Sequence, residues 1–245
     1  MRNFKLILQY EGTRYQGWQK QTSTDNTIQG KLELLLTRLF GVQTEIHGSG
    51  RTDAGVHALA QTANFCAETE MSCDEILVSM NQYLPDDIGV ISVEEVPLRF
   101  HSRLNACGKR YCYRVINSAI PNVFWRRYAL EVPQNLDVEA MEKAASYLLG
   151  EHDFKAFTSA KKGKKSTVRR IDKIDIGKEG DLLTFIFEGN GFLYHMVRIL
   201  MGTLLEVGAG KRSPEEMSEI LAFGNREKAG ALVPAKGLTL MEVFY

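Results

Sequence analysis

The sequence predicts a mixed α+β fold built from two similar units side by side. Three observations carry that prediction. Segments of period-two alternation and segments of helical spacing follow one another along the whole chain, and the theme of the first half returns in the second. The chain has 245 residues, of which 44% are hydrophobic and 24% charged, enough for one large core or two small ones. No apolar run approaches the roughly 18 residues that a membrane span needs.

In the first half, Phe4–Tyr10 alternates polar and apolar residues and reads as a strand. Ile28, Leu32, Leu35, Leu36 and Leu39 recur at helical spacing, so Thr27–Phe40 reads as a helix stopped by Gly41. Strands are expected at Val42–His47 and near Leu59–Ala67. Ser72 and Glu75 form a capping-box signature ahead of Ile76, Leu77 and Met80. Ile88–Val96 and Arg110–Ile116 read as further strands. In the second half, Asp137 is placed to cap a helix through Met141, Ala144, Ala145 and Leu148, ended by Gly150. Strands are expected at Val168–Ile176 and Leu182–Glu188, then a long apolar helix from about Phe192 to Val207. Ser213-Pro214-Glu215-Glu216 is a helix start, with Pro at the first helical position. Leu238–Phe244 closes the chain as a strand. The boundary is expected near Leu104–Gly108, giving units 1–106 and 107–245, with Ala160–Lys165 a flexible loop rather than a linker. Repetition between the halves is too weak to establish duplication.

Composition excludes a disordered tail, a collagen-like chain and a disulfide-dense miniprotein. The first ten residues contain no secretory apolar core, so a soluble, intracellular, cytoplasmic protein is expected. Cys66, Cys73, Cys107 and Cys112 lack the Cys-x-x-Cys spacing of zinc sites. Reduced thiols used as small core residues, and no metal, are expected.

Net charge is zero, with 30 basic and 30 acidic residues, but the charges are segregated. Glu68–Glu95 carries eight acids and no base. Arg99–Arg127 carries seven bases and no acid, and Lys155–Lys173 carries eight bases against Asp172. Such blocks make a dipolar surface attractive to phosphate, unless folding intermixes them.

Three places could carry chemistry. Gly48-Ser-Gly-Arg51-Thr-Asp53-Ala-Gly55-Val-His57-Ala58 lies between two strands, and its glycines permit backbone shapes that other residues avoid. It could present Asp53, ionised beside Arg51 and Thr52, into a cleft; a plain turn aspartate is the alternative. No phosphate-binding glycine pattern is complete, so no nucleotide cofactor is expected. Arg198 stands in an almost wholly apolar helix and needs an anion. Asp53 is an attractive partner, Glu206 the alternative, and His195 on the same face reads as a packing or supporting residue. Finally, Tyr111 and Tyr113 share one face of the strand Lys109–Arg114, with Arg110 and Arg114 on the other. Aromatics there could stack bases, or simply pack on a core.

These segments resemble the TruA family of tRNA pseudouridine synthases. The residues that carry the resemblance are Tyr10-Glu-Gly12 with Tyr15-Gln-Gly-Trp18-Gln-Lys-Gln21, Gly50-Arg-Thr-Asp-Ala-Gly-Val-His-Ala58, Phe100-His-Ser-Arg103, Lys109-Arg-Tyr-Cys-Tyr113, and His195-Met-Val-Arg198 followed by Gly202. They run in family order along almost the whole chain. Glu11, where the family often has Asp, and Ser102, where it often has Ala, depart from the pattern away from the chemistry. The resemblance implies isomerisation of uridine to pseudouridine at positions 38, 39 and 40 in the anticodon arm of tRNA, without cofactor or metal. It implies that Asp53 is the catalytic nucleophile, Arg198 its ion-pair partner, Arg51 a contact to the flipped-out base, and Tyr111 a substrate-binding aromatic. It further implies a homodimer, and two ferredoxin-like subdomains, akin to RNA-recognition motifs, whose antiparallel sheets join into one extended sheet flanked by helices. Two other classes remain: a non-catalytic RNA-binding module, and a glycosidase. The glycosidase would need a second carboxylate across the bond, and Asp86-Asp87 and Glu94-Glu95 read as solvated pairs.

Overall fold

A computed structural model describes residues 1–160 and 166–245. The fold is mixed α+β. Its strands are β1 (Arg2–Tyr10), β2 (Ile46–Gly48), β3 (His57–Ala67), β4 (Ile88–Val96), β5 (Gly108–Ile116), β6 (Leu130–Glu131), β7 (Gly150–Asp153), β8 (Val168–Glu179), β9 (Leu182–Gly189) and β10 (Leu238–Phe244). The α-helices among the described residues are α1 (Ile28–Phe40), α2 (Cys73–Tyr83), α3 (Val138–Ser146), α4 (Met196–Gly208) and α5 (Glu216–Phe223). The loop expected over Ala160–Lys165 falls, from 161 onward, outside the described residues. None of the described helices is long and apolar enough to cross a membrane.

The chain divides into two compact units, Met1–Cys107 with Thr239–Tyr245, and Gly108–Leu238. The closing strand therefore belongs with the first unit, although the sequence reading grouped it with residues 107–245. In the first unit the strands lie in the order β4-β1-β3-β10, with β2 also paired to β3. β1 is antiparallel to both β3 and β4, while β10 runs parallel to β3. Alternation in β1 buries Phe4, Leu6 and Leu8, with Phe4 stacked on Phe65 of β3, and Ile28, Leu32 and Leu36 of α1 and Ile76 and Met80 of α2 are buried in the same unit. Each such side chain contributes about 1.5–3 kcal/mol. The Thr27 hydroxyl accepts from Gly30 N to start α1, and Gly41 ends it. Ser72 and Glu75 form the complete capping box of α2.

In the second unit the order is β5-β9-β8-β7, with β6 paired in parallel to β5. Tyr113 and Val115 of β5, Phe185 and Phe187 of β9, Met141 of α3 and Ile199, Leu200 and Leu204 of α4 are buried here. Asp137 accepts from Ala140 N, as its capping role requires.

Some expectations need correction. Residues 42–45 form no strand, because the Thr44 hydroxyl bonds the Val42 carbonyl and the Thr37 hydroxyl takes Thr44 N. α4 starts at Met196 rather than near Phe192. The Tyr194 carbonyl, which would feed the helical ladder, instead accepts from the Thr158 hydroxyl and Ser159 N, and His195 turns left-handed at φ 65°. α5 likewise starts late, although Ser213 N donates to the Glu216 carboxylate. All four cysteines are free, but only Cys112 is buried; Cys66 and Cys107 are exposed.

Candidate active site

The loop joining β2 to β3 carries Arg51, Thr52 and Asp53, and it is fastened along its length. Ser49 N donates to the Thr62 carbonyl, and the Ser49 hydroxyl to Gln61 Oε1 at 2.6 Å. Gln61 Nε2 returns a bond to the Gly50 carbonyl. Thr52 is held at both ends: its hydroxyl meets the buried Tyr10 phenol at 2.9 Å, and its carbonyl accepts from Trp18 N at 3.0 Å. Burial pushes the Tyr10 phenol well above its ordinary pKa, with hydrogen bonding to Thr52 and Gln61 opposing that shift. Beyond Asp53 the chain turns back, with Val56 N donating to the Asp53 carbonyl and Gly55 N to the Tyr15 carbonyl. Of the loop's three glycines only Gly55 takes a positive φ.

The partner of this loop is Gly12–Trp18, a stretch for which sequence reasoning gave no role beyond resemblance. Gly12 N donates to His57 Nδ1 at 3.0 Å. A Cβ at Gly12 would lie 2.0 Å from the Val56 carbonyl oxygen, and one at Gly17 2.7 Å from that of Thr52. Gly17 also holds φ +91°. Only residues without a side chain let the two backbones lie so close. The signal was present in the sequence as two glycines between aromatics.

Asp53 is half-buried on this fastened loop, while Arg51 is exposed and its side chain makes no ion pair or hydrogen bond to another described residue. Tyr111 and Arg198 belong to the second unit. Tyr111 is 8% exposed and meets the edge of Phe192 at 5.2 Å, so its ring packs more than an open stacking platform would. Tyr113 is fully buried, its hydroxyl donating to the Pro234 carbonyl. Burial raises its pKa, and the charge on Arg198 opposes the rise. Arg198 is half-buried, and its Nε donates to the Val233 carbonyl at 2.8 Å, which orients the guanidinium. Glu206, the alternative anion for Arg198, is committed to Arg212 at 2.5 Å and to Ala231 N. Asp87 is not a solvated residue as expected: its side chain is 10% exposed and holds Arg14 and Tyr15. Among the described residues no group of His, Cys, Asp or Glu could hold a metal ion.

A family model described as tRNA pseudouridine synthase matches residues 6–105 and 144–245. The chain belongs to the TruA family of tRNA pseudouridine synthases. Among its relatives, "tRNA pseudouridine synthase A 2" of Bacillus anthracis is 44% identical over 99% of both chains. "tRNA pseudouridine synthase A" of Acetivibrio thermocellus is 44% identical, and that of Brevibacillus brevis 46%, each over the full length of both chains. As a member of the TruA family the protein is an isomerase that converts uridine in tRNA to pseudouridine. The C1′–N1 bond breaks, the uracil turns, and a C1′–C5 bond forms, with no net gain of atoms or electrons.

Proposed function

We propose that the uridines isomerised are those at positions 38, 39 and 40 of the anticodon arm, with Asp53 as nucleophile. A uridine stacked in a stem must be extruded before its sugar can be reached, at a cost of a few kcal/mol, roughly. Arg51, exposed beside Asp53, contacts the extruded base, and Tyr111 adds an aromatic contact. Arg198 is the ion-pair partner of Asp53. Asp53 then acts on the sugar–base unit, either by bonding to it or by drawing a proton from C2′.

The observation that carries this reading is the fastening of the Asp53 loop. A half-buried carboxylate on a backbone tied to Tyr10, Tyr15, Trp18 and Gln61 keeps one position without substrate. Such preorganisation is what a reacting group requires and a turn aspartate does not. The β-α-β-β-α-β order of the first unit, with adjacent strands β4-β1-β3-β2, supports a ferredoxin-like subdomain. β5, α3, β8, β9 and α4 follow the same order in the second, with β9 between β5 and β8. The homodimer rests on the resemblance, and the cytoplasmic location on the sequence reading of the first ten residues.

Replacing Asp53 by Asn tests the reading. Asp53→Asn is expected to abolish pseudouridine formation, detected by chemical tagging of an unmodified anticodon arm, and to leave the dissociation constant for tRNA within about threefold, since one surface contact is worth well under 1.4 kcal/mol. Turnover near the parent rate would remove Asp53 from the mechanism.

A further inference from the structure

The segment Phe100-His-Ser-Arg103 has no part in the chemistry above, yet the first unit builds a detailed support for it. Ser102 is fully buried and sits at the centre. Its N donates to Asn64 Oδ1 at 2.9 Å, its hydroxyl donates to the His47 carbonyl, and its own carbonyl accepts from the Tyr245 hydroxyl at 2.6 Å. Asn64 is in turn held by Asn3, whose amide also donates to the carbonyls of Pro97 and Phe100. The turn closes on itself through Asn105, which accepts from His101 N with its side chain and donates to the His101 carbonyl with its backbone. The product of this scaffold is a pair of imidazoles on the surface. His101 stacks on His47 with ring centroids 5.0 Å apart and planes 23° apart.

Neither ring is needed for the scaffold's own core. His47 is exposed, on the short strand β2, and only its backbone carbonyl takes part in holding Ser102. His101 is half-buried, and its Nδ1 accepts from Arg103 N. Burial, then the charges of His47 and Arg103, hold the His101 imidazole below its usual pKa, so this ring is neutral at pH 7. A neutral ring offers a π face rather than a charge. Beside it, Arg99 and Arg103 are exposed and have no carboxylate partner among the described residues.

We infer that the His47–His101 stack is a second nucleotide site, which stacks an unpaired base of the tRNA other than the reacting uridine while Arg99 and Arg103 take the adjoining phosphates. The chemistry fits that occupant in both parts. Flat rings stack any base face without reading its edge, and guanidinium groups bind phosphate. A core role would bury both rings, and a site for phosphate alone would have no use for two stacked flat rings. The site deepens the tRNA-modifying reading and rests on it.

The test uses the whole protein and an unmodified tRNA transcript. His47 is the residue to change, because its ring is exposed and only its backbone carbonyl takes part in holding Ser102. His47→Ala is expected to raise KM about tenfold, at the lower end of what stacking one base contributes, with kcat at saturation within about twofold. His47→Phe, which restores an aromatic face without a ring nitrogen, is expected to return KM to within about twofold of the parent, since every base stacks on any such face. A KM unchanged in His47→Ala, a KM raised equally in both variants, or a loss carried by kcat would each overturn the inference. The two readings fail separately: a parent protein that converts no uridine in the transcript removes the functional reading, whereas parent turnover with indifferent His47 variants removes only the stacking site.

Discussion

Asp87 accepts from the Tyr15 hydroxyl at 2.5 Å and from Arg14 Nε at 2.8 Å, while its backbone carbonyl accepts from Glu11 N. Tyr15 in turn offers its carbonyl to Gly55 N, two residues beyond Asp53. Asp87 is thus tied to the Asp53 loop through Tyr15. Burial alone would raise its pKa, but hydrogen bonds from Tyr15 and Arg14 outweigh that and hold it below its ordinary 3.8. A carboxyl depressed by folding stabilises the protein above its unfolded value, and that contribution is lost as pH falls through the folded value. Asp87→Asn is therefore expected to cost about 2 kcal/mol at pH 7, mostly from charge-assisted hydrogen bonds, because the Arg14 side chain is 66% exposed. The gap between variant and parent should shrink below about pH 4, which urea titrations at pH 7 and pH 3 would measure. A gap that stays constant with pH would show that the charge on Asp87 is irrelevant.

At the scale of elements, the Asp53 loop works because Gly12–Trp18 lies against it with no side chain between the backbones. Gly17→Ala would force a Cβ toward the Thr52 carbonyl at 2.7 Å and a non-glycine residue into φ +91°. The substitution is expected to destabilise the protein by about 2–3 kcal/mol and to lower kcat at least tenfold with a smaller effect on KM, since the loop can yield only by moving Asp53. Thermal unfolding and steady-state kinetics on tRNA would check both, and an unchanged kcat would detach the loop's position from the chemistry. This coupling also marks the limit of what the sequence discloses. Strands whose alternation faces a single core, such as β1 and β9, and helices with a side-chain cap, such as α1 and α2, are written in residue periodicity. The first turn expected of α4 is missing because a distant Thr158 takes the Tyr194 carbonyl, and β6 and β7 are too short for a pattern. The glycine loop and Asp53 stand out by composition. The burial of Asp87 does not, because it depends on Arg14 and Tyr15, more than seventy residues earlier in the chain.

Across the whole molecule, a net charge of zero conceals how unequally the two signs are engaged. Part of the acidic run is already paired: Arg2 holds Glu95, Lys5 holds Glu94, and Arg14 holds Asp87. Part of the basic blocks is paired too, with Arg110 on Glu188 and Arg170 on Asp172. Lys155 meets Asp153 and Lys173 meets Asp175 as well, so folding has intermixed the blocks in part. Arg51, Arg99, Arg103 and Arg126 remain exposed with no acidic partner among the described residues, and the sequence adds four lysines between residues 161 and 165. A polyanion that engages five to seven such cations releases a similar number of counterions, so log K for tRNA is expected to fall with log salt at a slope of about −4 to −6. Arg103→Gln should make that slope shallower by about one, because a single phosphate contact is lost. Binding isotherms between low and moderate salt would measure both slopes. A parent slope shallower than about −2 would mean that the unpaired arginines are not the surface that meets RNA, and that tRNA is held by stacking and shape instead.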